Sequence, residues 1–319
     1  LRAAIASPGN DHRLGGNEAP PAIISAFLGS MLSKVFDSIE KGEAAQATES
    51  QIINLGVSQI PDISKDYTDR NRTSPFAFTG NKFEFRAVGA SASVAIPVSI
   101  LNAAVANTFQ KATERLKVLL KEKKTRDEAV MEVIRELSKE SKAIRFEGNN
   151  YSEEWKKEAK KRGLPILSTT SEALEVFNKE KSVAFLTNTQ VLSKPEIASR
   201  YHVAVERYVK TVEIEIHTLL ELVQEYILPA LDKQLAKVNA TMVQAKGKDF
   251  SFLCQERVQE IENVFTTILK ELKTLRRLTD ELQNFSSENE KMKHLAETLV
   301  PQAENLRKAC DLAELLVAH

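Results

Sequence analysis

The chain has 319 residues with 44 basic and 44 acidic side chains, so its formal net charge is zero, which argues against a nucleic-acid binder working through bulk charge. Its two cysteines, Cys254 and Cys310, are too few for a disulfide framework or a cysteine metal cluster and read as buried thiols in a reducing compartment. No apolar run reaches membrane-spanning length and no charged-then-apolar leader opens the chain, so a soluble, cytosolic protein is expected.

The opening "LRAAIASPGN" has no methionine and reads as a helix already under way, stopped at Pro8-Gly9-Asn10; it is expected to be cut from a longer polypeptide. The next stretch, "HRLGGNEAPPA" from His12 to Ala22, is a shaped loop. Glycines permit close backbone approach, and Pro20-Pro21 fix the exit. Glu18 supplies a base-capable carboxylate and Arg13 a permanent cation. Such a loop is either a binding or catalytic element or a plain turn. Ile24 to Ser38 reads as a helix, with Phe27, Met31 and Val35 four apart. Ile53 to Ile60 and Phe83 to Val88 have the short period of strands. Eight of the eleven glycines lie in the first hundred residues, which read as mixed α and β.

Within that part, "NKFEFR" from Asn81 to Arg86 places Lys82, Glu84 and Arg86 on one strand face, with Phe83 and Phe85 on the other. Two readings stay open. A half-exposed antiparallel strand simply puts its charges in water. Alternatively the phenylalanines enter a core and the charged face lines a polar cavity, the carboxylate holding a divalent metal and the cations meeting anionic oxygens. Arg70 and Arg72, just upstream in "DRNRTSPFAFTG", add guanidinium groups suited to carboxylate or phosphate.

From Leu101 onward the pattern is helical. Val105, Phe109, Ala112, Leu116 and Leu119 form one stripe. "TRDE" from Thr125 is a capping box, and Ser152 caps a short helix that Gly163 and Pro165 end. "SKPE" at Ser193 opens a long helix towards Pro229. Val258, Ile261, Phe265, Ile268, Leu272 and Leu275 make a bundle or coiled-coil seam. The histidines carry little: His12 suits packing or a hydrogen bond, and the others show no metal-ligand spacing.

Three stretches resemble a known family. "NDHRLGGNEAPPAIISAFLG", "DRNRTSPFAFTGNKFEFRAVGASAS" and "SKAIRFEGNNYSEEWKKEAKKRGLPILSTTSEAL" are similar to type III glutamine synthetases. The resemblance continues through "VLSKPEIASRYHVAVERYVKTVEIE" and thins from about Leu235. It implies an α+β fold: part of a glutamine-synthetase catalytic domain over 1–100, followed by the mainly helical type III C-terminal domain over 101–319. It implies ligation of ammonium to glutamate with ATP through γ-glutamyl phosphate, with Mg²⁺ or Mn²⁺, in a large homo-oligomeric ring and without nucleic acid or membrane. By residue, it implies that Glu18 is the flap glutamate that deprotonates ammonium and Arg13 holds substrate glutamate. Arg72 and Lys82 contact the nucleotide, Glu84 is a metal ligand, and Arg86 meets the transferred phosphoryl group.

Departures accompany the resemblance. The spacing from Arg13 to Glu18 is one residue shorter than in the better-known bacterial type. Ala77 stands where a second nucleotide-binding arginine is expected. The family's other metal carboxylates, its metal histidine and its N-terminal β-grasp domain would lie upstream, so the 319-residue chain alone is expected to be inactive. The alternative is a helical scaffold, oligomerisation or regulatory protein without catalysis; it leaves "NEAPP" and the three-charge strand face unexplained.

Overall fold

The computed structural model describes residues 1–11, 22–43, 52–53, 63–64, 73–80, 82–86, 92–247 and 251–317. Packing divides the chain into two compact units, 1–199 and 200–319. It is mainly helical, with a small sheet, in line with the α+β expectation.

In the first unit, a 3₁₀ turn at Ala3–Ile5 and the one-turn helix α1 (Pro8–Asp11) precede strand β1 (Ala26–Phe27) and helix α2 (Ser30–Lys41). The helix expected from Ile24 therefore starts six residues later. Ala26 and Phe27 pair in parallel with Phe76 and Ala77, and Gly29 adopts φ +82°, which a side chain would resist, so the chain turns before the helix begins. Two short strands, β2 (Ile52–Ile53) and β3 (Ile63–Ser64), form an antiparallel pair. Strands β4 (Phe76–Phe78) and β5 (Phe83–Phe85) pair antiparallel, with Ala77 opposite Glu84, giving the sheet order β1-β4-β5. Arg145 extends this sheet as a bridge beside Ala26, and the Phe146 N–H donates to the Ala26 carbonyl at 3.0 Å.

Helices α3 (Ala95–Lys121), α4 (Arg126–Ser141), α5 (Glu153–Lys161), α6 (Thr170–Leu174) and α7 (Glu180–Asn188) follow. The Thr125 capping box forms in both directions. The Ser152 hydroxyl accepts from the Trp155 amide at 3.2 Å, and Gly163 leaves α5 with φ +71°. The α3 stripe is buried only at its far end, where Leu119 joins Ala129 and Val133 of α4; Val105 and Phe109 are exposed. A second cluster gathers Ile23, Trp155 and Ala159, with Phe146 stacked on Trp155 at 4.0 Å. This cluster and the Arg145 bridge tie segment 143–166 to the strands. The compositional break near residue 100 is thus not a break in packing.

The second unit holds most of α8 (Lys194–Leu222), with α9 (Leu228–Ala245), α10 (Ser251–Glu281), α11 (Glu288–His294) and α12 (Val300–Glu314). Helix α10 packs on α9 and α12, and its seam is buried at Ile261, Ile268 and Leu275. The long helix does not stop at Pro229. A π turn at Val223–Ile227 carries it onwards, and a second π turn at Leu295–Leu299 precedes Pro301 in the same way. Proline has no N–H for the carbonyl four residues back and its ring crowds that carbonyl; the wider π turn relieves the clash without ending the helix.

Candidate active site

Among the residues singled out from sequence, Lys82, Glu84 and Arg86 are described, whereas His12, Arg13, Glu18, Arg70 and Arg72 lie outside the described residues. Strand β5 brings its three charged side chains together as the period of two requires. Glu84 Oε1 lies 3.5 Å from Lys82 Nζ, and Oε2 lies 3.3 Å from Arg86 Nη2. Exposure falls along this row, with the Lys82 side chain 66% exposed, Glu84 40% and Arg86 20%. The row is open at the lysine and closes at the arginine.

The opposite face is not a sealed core. Phe83 remains 46% exposed while it stacks on Phe76 at 5.2 Å, and Phe85 sits tilted at 6.1 Å from Phe76. The phenylalanines form an aromatic strip along the β4–β5 pair. The fully buried residue here is Ala77, central in the sheet and paired with Glu84. The position where the resemblance expects an arginine is thus held by a fully buried alanine at the centre of the sheet.

Glu84 offers one carboxylate between two cations. Divalent magnesium or manganese takes about six ligands, mostly oxygen. Among the described residues no group of three or more His, Cys, Asp and Glu stands together. The described residues thus do not hold a metal by themselves. The two cations of the row suit phosphate oxygens, and Arg86 is the less exposed of them.

Residues flanking 12–21 are fixed by the segment around α5 and α6. The Asp11 carboxylate accepts from the Thr170 amide and hydroxyl at 2.8–3.0 Å. The Ala22 carbonyl accepts from the Leu167 N–H at 3.0 Å, and Ile23 packs with Trp155. The Leu28 amide and the Ser33 hydroxyl both donate to Glu147, at 3.3 and 2.6 Å, so Glu147 serves the start of α2, where Gly29 has no side chain to cap it. Sequence reasoning assigned no role to Asp11, Asn150 or Thr170. Their main partners are remote in sequence, and in the run "FEGNNYSEEW" the local signal was the Ser152 cap, which says nothing of Asn150.

Residues 129–246 match the family model described as the glutamine synthetase C-terminal domain. The chain is 39% identical to a type-3 glutamine synthetase of Dictyostelium discoideum, over 99% of this chain and 44% of that protein. It is 38% identical to a glutamine synthetase of Bacteroides fragilis and 37% identical to one of Butyrivibrio fibrisolvens, again over 99% of this chain and 45% of each relative. The chain is related to the glutamine synthetases. It spans just under half the length of these relatives. No helix among the described residues is long and apolar enough to cross a membrane.

Proposed function

We propose that this chain forms the C-terminal part of a longer cytoplasmic glutamine synthetase subunit that joins ammonium to glutamate at the expense of ATP. Residues 1–100 would belong to the catalytic domain and 101–319 to the helical type III region. The identity across 99% of the chain supports the family, and one geometric observation supports the chemistry: the row in which Glu84 sits between Lys82 and Arg86.

The reaction has two steps. The γ-carboxylate of glutamate attacks the terminal phosphorus of ATP, forming γ-glutamyl phosphate and releasing ADP. Ammonia, formed when ammonium gives a proton to Glu18, then attacks the carbonyl carbon and phosphate leaves. Phosphoryl transfer depends on positioned positive charge, which Arg86, Lys82 and Arg72 supply, while Arg13 holds the glutamate. Glu84 would supply one carboxylate ligand to the magnesium or manganese that accompanies ATP, a metal that would screen the phosphate charge, and the described residues offer no cluster of further ligands beside it. Acting alone, the chain is inactive; the complete subunit works in a homo-oligomeric ring.

The test is ammonium-dependent glutamine formation by the complete subunit and by its Glu18→Gln variant. Loss of at least a hundredfold in kcat with an unchanged melting temperature is expected of a general base. A variant rate equal to the parent's would overturn the assignment of Glu18. Turnover by the isolated 319-residue chain would overturn its inactivity.

A further inference from the structure

Asn150 lies outside every residue the resemblance assigns, in the loop just before α5. It is 6% exposed, and its polar groups reach three separate pieces of chain. Its Oδ1 accepts from the Ser25 hydroxyl at the entry to β1. Its Nδ2 donates to Ser74 Oγ and to the Gly148 carbonyl, each at 3.1 Å, and its backbone N–H donates to the Thr73 carbonyl at 3.0 Å. Ser25 and Ser74 are themselves buried, at 1% and 0% exposed, so the network is closed to water.

The next link leads to the charged row. Ser74 is followed by Pro75, whose carbonyl accepts from the Arg86 amide at 2.7 Å. Strand β5 joins the three-stranded sheet through β4, and the entry to β4 is the stretch that Asn150 grips with both its side chain and its backbone. Thr73 also follows Arg72 directly in sequence. A primary amide is the side chain that can accept from one hydroxyl while donating to a second hydroxyl and a carbonyl.

We propose that Asn150 is a positioning residue for ATP use: by fixing Thr73 and Ser74 it sets the Pro75–Arg86 hydrogen bond, and with it the placement of Arg86 against the nucleotide phosphates. The proposal rests on the glutamine synthetase reading above. It links the segment before α5 to the phosphate-binding row, and it assigns Asn150 no contact with substrate. A small misplacement of a phosphate-binding arginine is costly, because such a group acts only in near-correct geometry.

The experiment compares Asn150→Ala and the milder Ser74→Ala with the parent in the complete subunit, well below each melting temperature, with Trp155→Phe as a destabilised control. Both variants should lose about tenfold or more in kcat/KM for ATP while KM for glutamate stays within about twofold, and the control should lose stability without that split. In the 319-residue chain, which needs no catalysis, hydrogen exchange at the Arg86 amide should quicken by about tenfold or more in both variants. Unchanged kcat/KM for ATP despite a lowered melting temperature would reduce Asn150 to a packing role, as would unchanged Arg86 exchange. If the complete parent makes no glutamine, the functional reading fails, while the exchange result still decides whether Asn150 sets the hairpin.

Discussion

Asp11 and Thr170, 159 residues apart, are joined by three hydrogen bonds: the Thr170 amide donates to both Asp11 carboxylate oxygens at 3.0 and 2.9 Å, and its hydroxyl donates to Oδ1 at 2.8 Å. The carboxylate also lies 3.7 Å from the guanidinium of Arg2, which is buried and donates through Nε to the Leu167 carbonyl. Burial pushes the Arg2 guanidinium pKa down, and the charges of Asp11 and Glu172 oppose that. The aspartate thus compensates a buried cation and serves the start of α6 together. Asp11→Asn should cost about 1–3 kcal/mol, because it weakens charge-assisted bonds and leaves Arg2 without its nearest counter-charge. Thr170→Val should cost about 1 kcal/mol. In a double-mutant cycle by urea denaturation, followed by the fluorescence of the single tryptophan, the two changes should be clearly less than additive. Strict additivity would mean that these bonds do not couple the residues.

Glu40 closes a second long-range contact, at the end of α2. Its carboxylate accepts from Lys142 at 2.6 Å, from Ser138 at 2.9 Å and from Arg145, whose guanidinium also lies over the Phe36 ring. The Lys142 hydrogen bond is the largest cause holding the Glu40 pKa down at about 2, with Arg145 and Ser138 adding to it against burial. A depressed carboxyl pKa contributes stability above the unfolded value, near 4.5, and that contribution disappears as pH falls through the folded value. The parent should therefore lose stability between about pH 4.5 and 2 more steeply than Glu40→Gln, which starts about 1–3 kcal/mol lower at pH 7. Urea midpoints measured across that window decide it; parallel profiles would show that Glu40 is not the group responsible.

Trp155 is fully buried, stacked on Phe146 with the planes 16° apart, and overlaid by the Arg162 guanidinium at 5.2 Å. Replacing it by alanine should cost about 3–5 kcal/mol, the usual range for deleting a buried aromatic side chain. Gly148 sets a limit on this cluster, because a Cβ there would meet the Phe146 ring at 2.6 Å. Gly148→Ala should displace that ring and shift the tryptophan emission; an unchanged spectrum would show that the stack tolerates the added methyl.

What was legible in the sequence was local. The caps at Thr125 and Ser152 form because the hydroxyl and the amide it serves are three residues apart. The row of Lys82, Glu84 and Arg86 follows from the strand period alone. The α10 seam follows from helical period. What was not legible depends on distant partners. Ala26 and Phe27 lie in a helix-like pattern and become strand only because Phe76 and Ala77 pair with them. Pro229 reads as a stop, yet the helix passes it through a π turn that no local signal announced. Asn150 has an unremarkable neighbourhood in sequence, and its role exists only where residues 25, 73 and 74 converge on it. Half-buried Phe83 shows the same limit, since alternation says which side a residue faces but not what covers that side.

The two thiols, both on helices of the second unit, differ enough to report on its opening. Cys310 on α12 is buried, and burial pushes its pKa up to about 11, helped by Asp311 and Glu314 and opposed by Arg307; Cys254 on α10 is half-buried. The thiolate is the reactive form, so a group titrating near 11 is ionised to roughly one part in a thousand at pH 8. A soluble disulfide reagent at pH 8 should therefore modify Cys254 first and Cys310 slowly. Cys310 should react at a rate that rises with urea before the global transition if α12 opens locally, and only with the transition if it does not. Peptide mapping after timed quenching assigns the sites. Equal labelling of both cysteines in the native chain would contradict the burial of Cys310 on α12.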